Sequence, residues 1–310
     1  MARILGIGIA TLDIINTTEG YPKEDEEVRA LSQSICRGGN VTNTLTVLHQ
    51  LGHGCEWAGT LADDVSGSII TSELQRQGMG FGRCTIIPGG RTPTSYITLN
   101  KNNGSRTIVH FRDLPEYSFE NFYNAFFENS PKPTDQLFTD LDWLHIEARN
   151  IPQTIKILDF IKQHCPQLTL SIEIEKPREQ IEKLYAYGDV VLFSRHFATS
   201  MGHQEPASFL RSWRPQCSAP VLVCPWGTDG AYAIDSEKSL CHAAAVQIPQ
   251  VVDTIGAGDT FNAGFIHATL AGLSIHERLR FANMLAGKKC SQRGFDKLTE
   301  TITLDTTLRP

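Results

Sequence analysis

Short apolar runs rich in β-branched residues alternate along this chain with segments whose apolar side chains recur at helical spacing. The runs predict buried strands at residues 4–10, 143–146, 168–174, 190–193 and 221–224. Helical spacing is clear in residues 41–51 and 151–161. A weaker third pattern places Val65, Ile69 and Leu74 on one helical face. Strand and helix in alternation predict an α/β fold with a mostly parallel central sheet covered by helices on both faces.

Two stretches interrupt this alternation. One is polar and begins at Asp13, and in the other Asn102-Asn103-Gly104 separates two β-branched runs. Asn-Gly between such runs is typical of a β-hairpin. We therefore predict a small antiparallel sheet, at about residues 12–36 and 92–112, that projects from a single domain over residues 1–310. Such a sheet is suited to close over a site as a lid or to clasp another subunit.

Composition and charge exclude some ligands and favour one compartment. A formal net charge of -6 argues against nucleic acid as a partner, because binding to phosphate backbones requires a basic surface. No apolar run approaches the ~18 residues that a membrane span needs, so we expect no membrane partner. The eight cysteines include no C-x-x-C pair, and the short apolar run near the N-terminus has no cleavage-site pattern. Both features predict a cytoplasmic protein with reduced thiols.

The most specific motif is residues 253–260, Asp-Thr-Ile-Gly-Ala-Gly-Asp-Thr, followed by apolar residues at helical spacing. A glycine turn at a helix N-terminus presents unpaired N–H groups and the positive end of the helix dipole. This predicts an anion hole at Gly256, Ala257 and Gly258. Asp259 would lie beside it, kept ionised by the dipole, and would accept a proton from an attacking hydroxyl, as phosphoryl transfer requires. The alternative is a turn capped by aspartate that binds no ligand.

A second motif, residues 37–43, combines two glycines with two asparagines. Asn40 and Asn43 lie three positions apart at a predicted helix start, so their amides should project to the same side. Amides both donate and accept hydrogen bonds, which suits a polyhydroxylated substrate, and Gly39 would let that substrate approach the backbone. Asp13 follows the first predicted strand, at the sheet edge where α/β folds bind ligands. The alternatives are an asparagine N-cap and an ordinary turn aspartate.

Weaker signals indicate a nucleotide. Arg106 follows the hairpin turn and could hold a phosphate group bidentately. A glycine-bounded turn after a predicted strand could lie along the same nucleotide; it consists of Gly227, Thr228, Asp229 and Gly230. Either feature could also be a solvated loop. The G-x-G-x-x-G fingerprint, the P-loop and the protein-kinase motifs do not occur in the sequence, which excludes those three classes of nucleotide site.

Together the two glycine motifs resemble the PfkB carbohydrate kinase family, whose members share the ribokinase fold. Further blocks are similar to the ketohexokinase branch of that family, at residues 21–25, 143–150, 173–178, 187–191 and 286–290. The resemblance implies a ribokinase-like three-layer sandwich that transfers the γ-phosphoryl group of ATP to the 1-hydroxyl of fructose, with Asp259 as the base. It also implies a homodimer that forms through the projecting sheet.

The resemblance further implies binding roles, carried over by motif. The ketose would be held by Asp13, Gly39, Asn40 and Asn43. The ATP would be lined by Arg106, by Gly227, Thr228, Asp229 and Gly230, by Gly256, Ala257 and Gly258, and by Cys290.

The metal ligands stay unassigned. Many members of the family carry an N-x-x-E motif that organises Mg²⁺, but residues 194–197 read Ser-Arg-His-Phe. Glu173 or Glu175 could act through water, although Mg²⁺ held mainly by the ATP phosphates is the simpler expectation. By analogy to the family, a monovalent cation such as K⁺ is expected near Asp253 and Thr254.

Two other functions stay open at this point. Asp13, Asn40 and Asn43 suit any neutral polyol, so the chain could instead be a ribokinase, an adenosine kinase or a fructokinase that forms the 6-phosphate. The second open function is that of a regulator, which would bind sugar or nucleotide on the same fold without turnover. The intact Asp259 argues against that second alternative.

Overall fold

The computed structural model describes residues 1–127, 138, 140–300 and 302, so the predicted domain over residues 1–310 includes positions that lie outside the described residues. In chain order the strands are β1 (Arg3–Ile7), β2 (Thr11–Thr18), β3 (Ser32–Gly38), β4 (Gly54–Ala58), β5 (Thr60–Ala62), β6 (Thr85–Ile87), β7 (Thr94–Asn100), β8 (Arg106–Phe111), β9 (Trp143–Glu147), β10 (Thr169–Ile174), β11 (Val190–Phe193), β12 (Val221–Pro225), β13 (Ala231–Asp235) and β14 (Leu240–Ala243). The α-helices are α1 (Asn40–Gln50), α2 (Val65–Arg76), α3 (Phe119–Phe127), α4 (Ile151–His164), α5 (Arg195–Ser200), α6 (Pro206–Trp213), α7 (Ala257–Leu270) and α8 (Ile275–Cys290). Short 3₁₀ helices cover Ile181–Ala186, Arg214–Gln216 and Gly227–Asp229. None of the helices in the described part of the chain is both long enough and apolar enough to cross a membrane.

The central sheet is mostly parallel, as predicted. Within the described residues it has eight strands in the order β14-β13-β12-β11-β10-β9-β1-β4. All neighbours from β12 to β4 run parallel, whereas β13 and β14 extend one edge as antiparallel strands. The carboxyl ends of the parallel strands therefore meet at one edge of the sheet, where α/β folds place their ligands.

Two layers of helices enclose this sheet. Trp143 of β9 belongs to an apolar cluster shared with α1, α2, α7 and α8. The next residue, Leu144, belongs to the opposite cluster, which includes side chains of α3, α4, α5 and α6. In β11 the neighbours Val190 and Val191 divide between the clusters in the same way. Because both faces are buried, the central strands are continuous apolar runs, and this confirms the three-layer arrangement.

The small sheet has four strands within the described residues, in the order β3-β2-β7-β8. The hairpin predicted around Asn102-Asn103-Gly104 is confirmed, because β7 and β8 pair antiparallel on either side of it. The prediction that the whole sheet is antiparallel was wrong, since β2 and β7 run parallel. Their connection passes through α1, β4 and α2, and a connection of that length allows either direction.

The third predicted helix exists, but it buries a different face. In α2, Val65 and Ile69 are 77% and 38% exposed, whereas Ile70 and Leu74 are fully buried. Ile70 and Leu74 are four residues apart and share a face, while Ile69 and Leu74 are five apart and do not.

Candidate active site

The glycine turn opens α7, as predicted. Gly256 is the N-cap residue with φ +77°, a left-handed conformation that favours glycine. A Cβ atom at this position would lie 2.3 Å from the Phe295 ring, so the turn also needs the missing side chain. A Cβ atom on Gly258 would meet no atom within 4 Å, so the space in front of the helix is open.

Unpaired N–H groups line this open space. In the part of the chain that the structure describes, the backbone N–H groups of Gly256, Gly258 and Asp259 donate to no acceptor. The N–H group of Ala257 makes a long bond of 3.3 Å to the Thr254 carbonyl oxygen, so one of the three predicted anion-hole residues is partly occupied. Free N–H groups at the positive end of a helix are the arrangement that binds phosphate oxygens.

The small sheet brings Arg106 to the same turn. Its Nη1 donates to the Thr254 hydroxyl oxygen over 2.9 Å. A guanidinium group can hold one neighbour and still offer other N–H donors to an anion. The structure therefore joins Arg106 and the glycine turn, which lie about 150 residues apart in the chain.

Asp259 lies in the first turn of α7 and is buried. Its Oδ2 accepts a 2.8 Å hydrogen bond from Asn43 Nδ2. The pKa of this carboxyl group is raised to about 7, mainly by burial; the charges of Glu175 and Glu147 also raise the pKa, while the Asn43 bond and Arg106 lower it. The helix dipole is expected to favour the ionised form of Asp259, whereas burial raises its pKa and acts in the opposite direction.

The two asparagines do not cap α1. The N-cap residue is Gly39, with φ +109° and no side-chain bond, and a Cβ atom there would lie 2.2 Å from the Ile9 carbonyl oxygen. Asn40 instead donates from Nδ2 to Glu173 Oε1 over 3.0 Å. Asn43, which we predicted to hold the sugar, contacts the predicted base directly. Both amides project toward carboxylates at the carboxyl edge of the central sheet.

Asp13 lies in the small sheet, within the range of residues 12–36 predicted for it. The first strand ends at Ile7 rather than at residue 10, and Asp13 lies on β2 of the small sheet. It is buried, and its Oδ1 accepts a 2.8 Å bond from the Thr11 hydroxyl. Burial raises the pKa of Asp13, while bonds from Thr11 and Ser95 and the charge of Arg37 lower it. A short turn at residues 8–10 carries the chain from the central sheet to the small sheet, whereas the prediction had assigned these residues to the first strand.

Glu173 and His145 form a buried pair that sequence reasoning missed. Glu173 Oε2 and His145 Nε2 are buried without hydrogen-bond partners among the described residues and lie 3.8 Å apart. The other ring nitrogen of His145 lies 2.8 Å from the Ser171 hydroxyl. Burial, followed by the charge of Asp259, raises the pKa of Glu173 well above its ordinary value. Alternating glutamates on a strand were the only signal of this site, and nothing in the sequence marked His145.

The predicted nucleotide turn lies beyond the end of β12. Gly227–Asp229 forms a 3₁₀ turn, and Thr228 and Asp229 are exposed. Arg195, from the segment that replaces N-x-x-E, places its guanidinium group 5.1 Å from the centre of the Trp226 ring beside this turn. The position of the glutamate in N-x-x-E is taken by Phe197, which is fully buried, so this segment offers no carboxylate there.

The other predicted nucleotide residue, Cys290, ends α8. Its carbonyl oxygen accepts a 2.8 Å bond from the Val252 N–H group, which ties the loop before the glycine turn to α8. Lys289 is fully buried, and its Nζ lies 2.8 Å from Asp253 Oδ2. The same oxygen accepts a 3.3 Å bond from the Gly294 N–H group. An ammonium group therefore already occupies the Asp253 carboxylate near which we expected a monovalent cation.

The carboxylates near Asp259 do not form a magnesium cage. No group of three or more His, Cys, Asp or Glu side chains in the described residues is arranged to hold a metal ion. Glu147 is committed to Arg149 Nη1 at 2.9 Å and to the Ile9 N–H group at 3.1 Å. Glu175 lies 3.3 Å from Lys176 Nζ. The described residues therefore do not fit a site for Mg²⁺ built from protein ligands alone.

Known proteins are similar to this chain over nearly its whole length. Residues 1–302 match the pfkB family carbohydrate kinases. The chain is 39% identical to ketohexokinase from Mus musculus over 302 residues, which cover 95% of this chain and 98% of that protein. Its fold is similar to ribokinase from Giardia lamblia, with a TM-score of 0.78, 16% identity and 94% of each chain covered. It is also similar to Arabidopsis thaliana ribokinase complexed with ribose and ATP, with a TM-score of 0.73, 18% identity and 94% of each chain covered.

Proposed function

Because this chain belongs to the pfkB family of carbohydrate kinases, we propose that it transfers the γ-phosphoryl group of ATP to the 1-hydroxyl of D-fructose. The broader activity, ATP-dependent phosphorylation of a sugar, follows from membership of the family. The choice of a ketose and of O1 rests on the 39% identity to the mouse ketohexokinase. The products are fructose 1-phosphate and ADP.

The observation that carries the proposed mechanism is the position of Asp259 beside unpaired N–H groups. The carboxylate accepts the proton of the sugar hydroxyl as O1 attacks the γ-phosphorus, and the bond from that phosphorus to the ADP oxygen breaks. The N–H groups of Gly256 and Gly258 stabilise the charge on the transferred group. Ala257 contributes its N–H group once the long bond to Thr254 opens. Arg106 adds a positive charge from the small sheet.

The acceptor site suits a neutral sugar. Asp13 is buried and Asn40 is partly buried, and both offer polar groups beside the Gly38-Gly39 pair, where a Cβ atom on Gly38 would lie 2.1 Å from Asp13 Oδ2. Arg149, two residues after β9, is already paired with Glu147 at 2.9 Å and with Glu116 at 3.0 Å, so its charge is compensated. A sugar phosphate would therefore gain little from the charge of Arg149.

We propose that ATP lies along three features: the Gly227–Asp229 turn with Gly230, the end of α8 at Cys290, and the glycine turn. Since the carboxylates do not form a metal cage, Mg²⁺ would arrive bound to the ATP phosphates, and no protein ligand is assigned to it. The dependence on K⁺ stays a prediction, which is measured by replacing K⁺ with Na⁺ in the assay. The cytoplasmic location also stays a prediction, and the eight free cysteines are compatible with it.

We also propose that the small sheet forms the contact between two subunits. Four residues of this sheet lie in one cross-strand row, Ile35, Ile14, Tyr96 and Val109. Three of them are at least half exposed, with Ile35 at 52%, Tyr96 at 51% and Val109 at 67%. Asp13 is on the opposite face, because neighbouring residues of a strand point to opposite sides. The sheet can therefore cover the sugar with one face and a partner with the other.

The substrate is tested by measuring ADP release with fructose, other ketoses, ribose, adenosine and fructose 6-phosphate. We expect fructose to be among the best acceptors, and NMR of the product should place the phosphate on O1. Preference for ribose or adenosine, or a phosphate on O6, would assign the chain to another activity of the same family. Binding of sugar and ATP without any ADP release would indicate a regulator.

The mechanism is tested with Asp259→Asn, which removes the base and keeps the size and the Asn43 contact. We expect ATP to bind normally and kcat to fall by ~10²–10⁴-fold. In the unmodified enzyme, kcat should decline as the pH falls through about 7, because a protonated Asp259 cannot accept the proton. Asp159→Asn, on the surface of α4, is the matched control and should leave kcat unchanged. Near-normal turnover of Asp259→Asn would refute the role of this carboxylate.

A further inference from the structure

Arg37, the second-last residue of β3, is a buried arginine that no step of the proposed mechanism uses. It is 2% exposed. Its Nη1 donates to Asn43 Oδ1 over 3.1 Å, and its Nη2 donates to the Thr46 hydroxyl over 2.7 Å. A carboxylate oxygen of Glu73, in α2, lies 3.6 Å from Arg37 Nε. The other carboxylate oxygen of Glu73 accepts a 3.1 Å bond from the backbone N–H group of Arg37. Two of the three guanidinium nitrogens are thus committed to α1.

The contact with Asn43 determines which way its amide points. An arginine side chain can only donate hydrogen bonds, and an ionised carboxylate can only accept them. The Asn43 amide has one oxygen and one NH₂ group, and it lies between Arg37 and Asp259. Only one orientation satisfies both neighbours, with the oxygen toward Arg37 and the NH₂ group toward Asp259. The reversed orientation would face donors with donors and carboxylate oxygens with an oxygen.

We propose that Arg37 is a positioning residue for catalysis, which acts through Asn43 to hold an N–H donor on the carboxylate of Asp259. This inference rests on the proposed function, because it assumes that Asp259 is the base. It explains what a buried charged side chain does in this part of the core. It also gives Asn43 a second task, since the amide predicted to bind sugar must first orient the base.

The charges around Asp259 show why the loss of Arg37 would matter. Glu147 and Glu175, at the carboxyl ends of β9 and β10, raise the pKa of Asp259. Glu173 of β10 interacts with the same carboxylate. On the opposite side the Asn43 bond and Arg106 lower the pKa of Asp259. The charge of Arg37 is also felt by Asp259, because the two groups interact electrostatically. Without Arg37 the amide is free to turn, and the carboxylate loses a donor and a positive neighbour together.

The main variant is Arg37→Gln, whose neutral amide can satisfy Asn43 in either orientation. We expect kcat to fall by ~10²-fold, as displacement of a positioned group by about 1 Å does, with the KM for ATP unchanged. The acid limb of the kcat–pH profile should move to higher pH, because Asp259 becomes harder to ionise. Arg37→Lys keeps a donor and a positive charge, so it should restore part of the lost kcat.

Two controls separate positioning from general damage. Arg214→Gln removes another buried arginine, which donates to the Cys217 carbonyl oxygen at the end of α6 and should leave kcat and its pH profile unchanged. Asn43→Ala tests the route through the amide. If Arg37 acts through Asn43, the double variant Arg37→Gln/Asn43→Ala should be no slower than the slower single variant, because coupled residues are not additive.

Three results would overturn the inference. One is an unchanged kcat and acid limb in Arg37→Gln, and another is full multiplication of the two single effects in the double variant. If Arg37→Gln does not fold, a neutron structure of the unmodified, deuterated protein decides. Deuterons on Asn43 directed at Asp259 support the proposal, and deuterons directed at Arg37 overturn it. Failure of the base itself is recognised separately, because Asp259→Asn would then keep its turnover.

Discussion

The buried pair of Lys289 and Asp253 gives a quantitative prediction. Lys289 Nζ lies 2.8 Å from Asp253 Oδ2 and 3.3 Å from the Asp253 carbonyl oxygen. The lysine side chain is fully buried, and the aspartate side chain is 11% exposed. Lys289→Met keeps the length and the apolar part of the side chain and removes the charge. Asp253 would then keep only N–H donors, from Ile255 at 2.9 Å and Gly294 at 3.3 Å.

The expected cost follows from the uncompensated carboxylate. Removal of one partner from a buried ion pair destabilises proteins by ~3–5 kcal/mol. Since two N–H groups still contact Asp253, we expect a loss of about 3 kcal/mol in the free energy of unfolding. An unfolding entropy of ~2.1 cal/mol/K per residue amounts to about 0.65 kcal/mol/K for a chain of this length, so Tm should fall by about 5 °C.

Thermal and urea unfolding measure this loss against two comparison variants. Lys297→Met breaks an exposed pair with Glu300, whose side chains are 78% and 60% exposed, and should change Tm very little. Lys289→Met/Asp253→Asn removes both charges and should recover part of the stability, because no buried charge is left unpaired. A Lys289→Met protein as stable as Lys297→Met would refute this reasoning, and so would a double variant less stable than the single one.

Two further predictions concern the glycine turn and the small sheet. Gly256→Ala should raise the KM for ATP and destabilise the protein more than Gly272→Ala. Both positions have positive φ, but only at Gly256 would the added Cβ atom lie 2.3 Å from the Phe295 ring. Equal effects on stability would show that the ring moves aside. Val109→Glu, at 67% exposure on the outer face of the small sheet, should convert a dimer to monomers in analytical ultracentrifugation, whereas Met201→Glu after α5 should not; a monomeric unmodified protein would contradict the proposed subunit contact.

Local patterns in the sequence were sufficient for the elements that depend on neighbouring residues. The start of α7 at Ala257 follows from two glycines and the apolar residues behind them. The β7–β8 hairpin follows from Asn-Gly between two β-branched runs. The central strands could be recognised because burial on both faces demands continuous apolar runs. These features depend only on backbone preferences and hydrophobic periodicity, and both of these can be recognised from residues that are close together in the sequence.

The contacts that prepare the site for chemistry could not be found in this way. Asn43 and Asp259 are 216 residues apart in the chain, and Asn40 and Glu173 are 133 apart. A sequence shows that an arginine or lysine is present, but not whether it is solvated or buried, and Arg37 and Lys289 are both buried.

The sequence by itself therefore determined the class of fold, the glycine turn and the identity of the candidate base. Only the tertiary structure decided that Asn43 contacts that base and that Lys289 neutralises Asp253. It also showed that burial is the largest cause of the raised pKa of Asp259. The physical reason is that desolvation and charge pairing depend on which distant segments are packed together.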